Sequence, residues 1–136
     1  MKHWLLKSEP AAYGWDDLVR DGRTEWTGVR NHAAAANLRA MAVGDQALIY
    51  HSMTGLEAVG IARLSRIAAA DPTAEGGNWV SVEIEPVAPL ARPVTLKAMK
   101  TDPRLAGMAM IRQSRLSVSP VTPEEWAAIL EMSEGR

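Results

Sequence analysis

The stretch QALIYHSMTGLEAVGIARLSRI, residues 46–67, decides the fold class of this chain. It holds two largely apolar runs, 46–52 and 57–67, on either side of a short turn that contains Gly55. Two such runs around a short turn are typical of an antiparallel β-hairpin. The rest of the predicted sheet is built outward from this hairpin.

Three further strands are predicted. The apolar run 3–7 opens the sheet and ends before Pro10, and residues 116–121 form its last strand. Residues 79–86 alternate between apolar and polar side chains, which predicts a half-buried antiparallel strand with one solvent-exposed face. The turn-rich residues 71–78 precede this strand and predict a mobile tip between two strands.

Four helices are predicted around these strands. Residues 14–20 carry apolar side chains at helical spacing, and Asn31 is a suitable N-cap for a second helix that follows it. Residues 93–102 predict a short basic helix. The last helix is the best specified, because residues 122–125 (TPEE) form a capping box with proline at the first helical position. Residues 24–30 show no clear period and are predicted to form a loop.

The resulting order, β-α-α-β-β-β-α-β-α, places the chain in the α+β class. The small closed arrangement that satisfies such strands is a mixed, mainly antiparallel β-barrel with surrounding helices, and this is the predicted fold. The mouth of such a barrel is a natural place for a small ligand. The 136 residues are expected to form a single domain, 1–136.

Composition excludes several classes of function. The chain has no cysteine, which removes disulfides, thiolate metal sites and cysteine nucleophiles. Its three histidines are widely separated, so we expect neither a metal nor another cofactor. The net charge of −1 argues against a polybasic coat. No apolar stretch reaches the length of a membrane span and no secretory signal is evident, so we expect no membrane partner and a cytoplasmic location.

The sequence offers no familiar catalytic arrangement. His51 and Ser52 are neighbours on a predicted strand, where successive side chains point to opposite faces and cannot form a dyad unless the strand is bulged. The acidic pairs at 16–17 and 124–125 lie in first helical turns, where the helix dipole accounts for them. We therefore expect that the protein is not an enzyme. A hydrolase or transferase that uses His51 as its base is the least favoured hypothesis.

Binding chemistry is better represented, in residues 24–31 (TEWTGVRN). Trp26 offers a flat face, Gly28 exposes the backbone, and Arg30 and Asn31 can read the edge of a polar ring. The alternative interpretation is an ordinary loop with one core tryptophan. If Trp26 belongs to the site, Trp26→Ala is expected to remove binding while lowering stability less than the loss of a core tryptophan would.

A basic segment follows later in the chain. Residues 92–115 contain six Lys or Arg against a single acidic residue, Asp102. Such a segment suits contact with a phosphate backbone, but it is also what an ordinary solvated helix face looks like.

Five motifs, in this order, resemble those of the EVE-domain family. They are WLLKSEP (4–10), WDDL (15–18), EWTGVRN (25–31), YHS (50–52) and RQSRLSV (112–118). The resemblance covers residues 2–130 and implies a PUA-like fold with a nucleobase pocket. The implied pocket residues are Ser8, Trp26, Gly28, Val29, Asn31, Tyr50, Ser52, Gln113 and Ser114, with Lys7 and Arg30 at the rim. The alanine tract 33–36 departs from the family pattern, since relatives carry polar side chains there.

The favoured hypothesis is a non-enzymatic nucleic-acid-binding module. It would read a modified base, such as 5-methylcytosine or 5-hydroxymethylcytosine, in DNA or RNA through the barrel-mouth pocket. The alternative is a sensor of a small molecule or free nucleotide that uses the same pocket without a polymer. A cationic surface beside the pocket and salt-dependent affinity would distinguish the first hypothesis from the second.

Overall fold

In the computed structural model, which describes residues 1–135, six strands form one sheet. The strands are β1 (His3–Ser8), β2 (Thr24–Trp26), β3 (Gln46–His51), β4 (Glu57–Ala70), β5 (Val80–Thr95) and β6 (Val118–Val121). Their order across the sheet is β2-β5-β4-β3-β1-β6. β1 and β3 are parallel, whereas the other neighbouring strands are antiparallel. The predicted mixed, mainly antiparallel α+β class is confirmed.

The described helices are α1 (Trp15–Asp21), α2 (His32–Ala40), α3 (Leu96–Thr101), α4 (Ala109–Arg112) and α5 (Pro123–Ser133), with a short 3-10 helix at Pro103–Leu105. All four predicted helices are confirmed, while α4 and the 3-10 helix were not predicted. The predicted capping box is present, since the Thr122 hydroxyl accepts from the Glu125 N–H and the Glu125 carboxylate accepts from the Thr122 N–H. Asn31 caps α2 in the same way, by accepting from the Ala34 N–H.

The predicted closed barrel is wrong, because the sheet is open. Within residues 1–135, β2 pairs only with β5 and β6 pairs only with β1, so the two edges do not meet. These edge strands have three and four residues, which leaves little backbone to pair. Helix α2 contacts β6 at one end of the sheet and β5 near the other, and its buried Ala34, Ala35 and Leu38 cover the interior instead.

Two strand predictions need correction. The predicted loop 24–30 contains β2, whose three residues pair with residues 82–84 of β5. β5 continues to Thr95, well beyond the predicted end at residue 86 and through three prolines. Because β2 pairs with β5 only at residues 82–84, no described strand pairs with the later part of β5 on that side, and proline is tolerated at such a sheet edge.

The sheet carries an apolar core on each face. Successive residues of β1 point to opposite faces, so Trp4 and Leu6 belong to one core and Leu5 to the other. Four of the five tryptophans are buried in these cores, and only Trp79 is partly exposed. Among the described helices, none is long and apolar enough to cross a membrane. The cytoplasmic location stays a prediction.

Gly60 of β4 permits the close packing of α1 on the sheet. A Cβ atom at this position would lie 2.5 Å from Cε3 of the Trp15 ring. We expect Gly60→Ala to lower the free energy of unfolding by about 1–3 kcal/mol, because the buried ring must move. Urea denaturation measures this loss.

The matched control is Gly76→Ala. Gly76 is exposed, and a Cβ atom there would meet nothing within 4 Å. Its unfolding midpoint should stay close to that of the wild type, and equal losses in the two variants would contradict the packing argument.

Candidate functional site

Three adjoining cavities lie at or near the end of β1, and each takes its name from one of its lining residues. The Trp26 cleft, of about 490 Å³, is lined by Lys7, Ser8, Glu9, Ala12, Tyr13, residues 24–31 and Ser117. The Tyr50 cleft, of about 500 Å³, is lined by Lys7, Ser8, Glu9, Tyr50, Ser52, Leu56, Leu96, Lys100, Met110, Ile111, Ser114 and Ser117. The Arg112 cleft, of about 330 Å³, is lined by Asn31, Ala33 and residues 112–116.

The structure places all eleven predicted site residues along these clefts, but not in one pocket. The Trp26 cleft contains Lys7, Ser8, Trp26, Gly28, Val29, Arg30 and Asn31. Tyr50 and Ser52 lie in the Tyr50 cleft, and Gln113 lies in the Arg112 cleft. Ser114 lines both of the latter two. Their roles in binding stay predictions.

Lys7 stands between the two larger clefts and lines both. Its ammonium group donates to the Ser114 carbonyl at 2.7 Å, which ties β1 to the segment after α4. Burial lowers the pKa of Lys7 from its ordinary value. The next residue, Ser8, donates its hydroxyl to the Tyr13 carbonyl, so the wall shared by the clefts is fixed from both sides.

Trp26 fits both of the interpretations that the sequence allowed. It is only 9% exposed and belongs to the core, yet it also lines the Trp26 cleft. The Tyr13 ring meets it edge-on, with centroids 6.4 Å apart and an interplanar angle of 86°. Because Trp26 is buried, Trp26→Ala is now expected to cost about 3–5 kcal/mol, which is more than the sequence predicted.

The loop that follows Trp26 is held by Asp71, a residue that the sequence analysis did not select. Its buried carboxylate accepts from the Gly28 N–H at 2.8 Å, from Arg30 Nη1 at 2.9 Å and from the Thr73 N–H at 2.8 Å. Gly28 has φ of +83°, a left-handed conformation that favours glycine. The residue after β4, in the predicted mobile tip 71–78, is thus anchored to the Trp26 cleft.

These contacts perturb the titration of Asp71. Burial alone would raise its pKa, but hydrogen bonds from Thr73, the Gly28 N–H and Arg30 outweigh burial and hold the pKa well below its ordinary value. Asp71 is therefore ionised across the physiological range.

A second contact missed from the sequence lies on the outer side of the loop. The Arg30 guanidinium carbon lies 5.9 Å from the centroid of the Trp79 ring, and the His32 ring stacks on Trp79 at 4.8 Å. Arg30 is therefore fixed between a carboxylate and an aromatic face, although its side chain keeps 37% of its surface exposed.

The remaining candidate base, His51, is occupied by a structural contact. Its Nε2 atom accepts from the Trp15 N–H at 3.1 Å, at the start of α1. Within residues 1–135, no group of three or more His, Asp or Glu side chains is arranged to hold a metal ion.

Charge differs among the three clefts. The Trp26 cleft is balanced, with Lys7 and Arg30 against Glu9 and Glu25. The Tyr50 cleft has Lys7 and Lys100 against Glu9. The Arg112 cleft is purely cationic, because Arg112 and Arg115 line it with no acidic residue and make no ion pair with any other described residue.

The basic segment 92–115 divides into two groups. Arg104 is paired with Asp102 at 2.8 Å and with Glu131 at 2.5 Å, and it lines none of the three clefts. Lys100, Arg112 and Arg115, by contrast, all lie on cleft walls. Only part of the segment therefore contributes to a cationic surface beside the Trp26 cleft.

An open mixed sheet with helices on both faces and polar clefts at the end of β1 defines a small binding domain of the PUA-like class. Residues 2–132 match the EVE domain, and the chain belongs to that family. Human thymocyte nuclear protein 1 is 30% identical to this chain, in an alignment that covers 97% of this chain and 74% of the human protein.

Solved structures agree with this assignment. A protein from Rhodopseudomonas palustris is 49% identical, with a TM-score of 0.92 and coverage of 98% of this chain and 94% of that one. Human THYN1 protein, in a crystal structure with DNA that contains 5-methylcytosine, is 28% identical, with a TM-score of 0.91 and coverage of 98% of both chains.

Asp71→Asn tests the anchoring of the loop. We expect a loss of about 1.5–3 kcal/mol in the free energy of unfolding at pH 7, because a buried, charge-assisted hydrogen-bond network is broken. The folded pKa is depressed, so the ionised carboxylate stabilises the fold fully above the unfolded pKa of about 3.9. This contribution is lost as the pH falls further, and the difference between wild type and variant should shrink there.

The control for this measurement is Glu75→Gln, an exposed carboxylate in the same connection with no ion pair to another described residue. Denaturant titrations of the three proteins at neutral and acid pH provide the comparison. A difference between wild type and Asp71→Asn that grows on acidification would contradict the assignment.

Proposed function

We propose that this protein is a non-enzymatic reader of a modified base in nucleic acid, and that residues 1–136 form one EVE domain. The modified base is of the 5-methylcytosine or 5-hydroxymethylcytosine kind and enters the Trp26 cleft. The observation that carries the proposal is the charge pattern: an electrically balanced, aromatic-lined cleft adjoins clefts lined by unpaired cations. Human THYN1, a relative of similar fold, has been crystallised with DNA containing 5-methylcytosine, which supports this ligand class.

The Trp26 cleft suits a neutral, flat, polar ring. Its volume of about 490 Å³ lies within the range of small-ligand sites. Trp26 and Tyr13 supply aromatic surface on which a base can pack. The side-chain oxygen of Asn31, Oδ1, accepts the capping hydrogen bond of α2. The side-chain nitrogen, Nδ2, is therefore available to donate to the edge of the base. Binding in this cleft requires a base that has left its stack.

The flanking cations suit the phosphates on either side of such a base. Lys100 lies in the Tyr50 cleft, and Arg112 and Arg115 lie in the Arg112 cleft. Phosphate contacts position a strand without reading its sequence, whereas the base contacts supply selectivity. The two tasks therefore fall to different residues. His51, the base of the least favoured hypothesis, accepts from the Trp15 N–H and does not line the Trp26 cleft.

The alanine tract bears on polymer binding less than the sequence suggested. Ala34 and Ala35 are fully buried against the sheet, so polar side chains at these positions would not reach a ligand. Only Ala33 lines a cleft. Ala34 and Ala35 thus serve the packing of α2, and the cationic surface is supplied by Lys100, Arg112 and Arg115.

The first prediction of this proposal concerns selectivity. A strand with one 5-methylcytosine should bind about fourfold or more tightly than the same strand with cytosine, since one buried methyl group contributes about 0.8 kcal/mol. Fluorescence polarisation with labelled single strands measures this ratio. Thr27→Trp should remove the preference, because Thr27 is half-buried on the cleft wall and a large ring there fills the space.

Thr101→Trp is the matched control, because Thr101 is exposed and lines none of the three clefts. This variant should keep the wild-type ratio. Equal affinity of the wild type for modified and unmodified strands would refute base reading. Binding of free modified nucleosides with no gain from the strand would favour the small-molecule sensor.

The second prediction concerns affinity. Arg112→Gln should weaken binding equally for modified and unmodified strands, because a phosphate contact carries no base information. The slope of log K against log salt should become shallower by about 0.7 for a single strand. Arg104→Gln provides the control, since Arg104 belongs to the same basic segment but is held by two carboxylates away from the clefts. Identical salt slopes for wild type and Arg112→Gln would rule out this contact.

A further inference from the structure

The Tyr50 cleft has the features of a second ligand site, of which the base-reading proposal uses only Lys100 at its wall. It matches the Trp26 cleft in volume, at about 500 against 490 Å³. The two share one wall, made of Lys7, Ser8, Glu9 and Ser117. A ligand that fills the Trp26 cleft and continues past this wall therefore enters the Tyr50 cleft next.

The interior of the Tyr50 cleft combines an apolar surface with polar groups that lack partners. Leu96, Met110 and Ile111 supply the apolar surface. Tyr50 is only 2% exposed, yet its hydroxyl makes no hydrogen bond with any other described residue. The hydroxyl oxygen is itself accessible at the wall of the cleft, so it can bond to a polar group of a ligand that enters there. Burial raises the pKa of Tyr50, so the group keeps its proton and can donate.

The charge of the cleft limits the chemistry of that ligand. Lys7 lies at the shared wall and Lys100 farther along, and Lys100 makes no ion pair within residues 1–135. A cation at the wall between two cavities suits a phosphodiester that joins a group in one cavity to a group in the other. The apolar surface and the Tyr50 hydroxyl suit a flat heterocycle with a polar edge.

We propose that the Tyr50 cleft holds the base next to the modified one, so that the protein binds a dinucleotide step with one base in each large cleft and the linking phosphate at Lys7. This inference rests on the proposed function, because the first base must occupy the Trp26 cleft. It assigns a use to Tyr50 and Ser52, which the structure separates from Trp26.

The test compares three ligands by NMR titration of the whole chain. They are 5-methylcytidine monophosphate, dinucleotides that join this nucleotide to a second base on its 5′ or 3′ side, and the same dinucleotides with an abasic second sugar. One of the base-bearing dinucleotides should bind about tenfold more tightly than its abasic counterpart, because contact with one base contributes about that much affinity. The amide signal of Lys100, which lines the Tyr50 cleft but not the Trp26 cleft, should shift with that dinucleotide and not with the monophosphate.

Two variants locate this gain. Ser52→Trp fills the Tyr50 cleft and should abolish the gain, so that the base-bearing dinucleotide binds no more tightly than its abasic counterpart. Tyr50→Phe keeps the ring and should reduce the gain about threefold, as expected for one lost hydrogen bond. Thr54→Trp is the control, since it places the same ring in the same turn on an exposed residue that lines no cleft.

The outcomes separate the two proposals. If the monophosphate binds with a preference for the methylated base, but base-bearing and abasic dinucleotides bind equally, the second site is refuted and base reading stands. If the gain survives in both Ser52→Trp and Tyr50→Phe, the neighbouring base lies elsewhere and the inference is also refuted. If neither the monophosphate nor any dinucleotide binds, the proposed function fails and the inference fails with it.

Discussion

The ion pair between Asp71 and Arg30 is the interaction on which the candidate site depends. Its partners are 41 residues apart in the chain and 2.9 Å apart in the fold. The same carboxylate accepts from the Gly28 N–H, so one buried charge fixes both the backbone and the side chain of the loop after Trp26. A buried carboxylate is tolerated only where it is fully hydrogen-bonded. Here its partners are the residues that line the cleft, so the stability of the loop and the shape of the site are linked.

Strand β1 provides the frame around which the clefts form. It pairs in parallel with β3 and antiparallel with β6, and its end carries Lys7 and Ser8 into the wall between the two larger clefts. The residues of β1 that precede this wall are buried in the cores on both faces of the sheet. A rigid strand with a polar end is a suitable support for a binding site, because packing fixes its position while the end remains accessible.

Local signals in the sequence determined which predictions succeeded. The capping box at Thr122, the cap at Asn31 and the hairpin around Gly55 each depend on neighbouring residues, and all three were predicted. β2 was missed because its three residues are specified by pairing with β5, more than fifty positions away. The predicted barrel failed for a related reason: closure depends on the lengths of the edge strands and on α2, which no local pattern reveals.

In the candidate site, too, local motifs were predictive and contacts between distant residues were missed. All eleven residues that the motifs assigned to the site lie on a cleft wall. The motifs did not show that Lys7, by bonding to Ser114, divides the space into separate clefts. Nor did they select Asp71 or Trp79, since a single aspartate or tryptophan in a turn-rich stretch carries no distinctive spacing.

In the proposed function, the Asp71–Arg30 pair also sets the charge of the ligand that the Trp26 cleft would accept. An arginine with no carboxylate partner is suited to bind phosphate, and this is the role that the proposed function gives to the two unpaired guanidinium groups of the Arg112 cleft. Arg30 would play the same role if Asp71 did not neutralise it, and the Trp26 cleft would then favour an anion over an uncharged ring. In the proposed function, the contact that holds the loop in place thus also offsets the charge of Arg30, so that a base would occupy the Trp26 cleft while the phosphates would lie at the cationic clefts beside it.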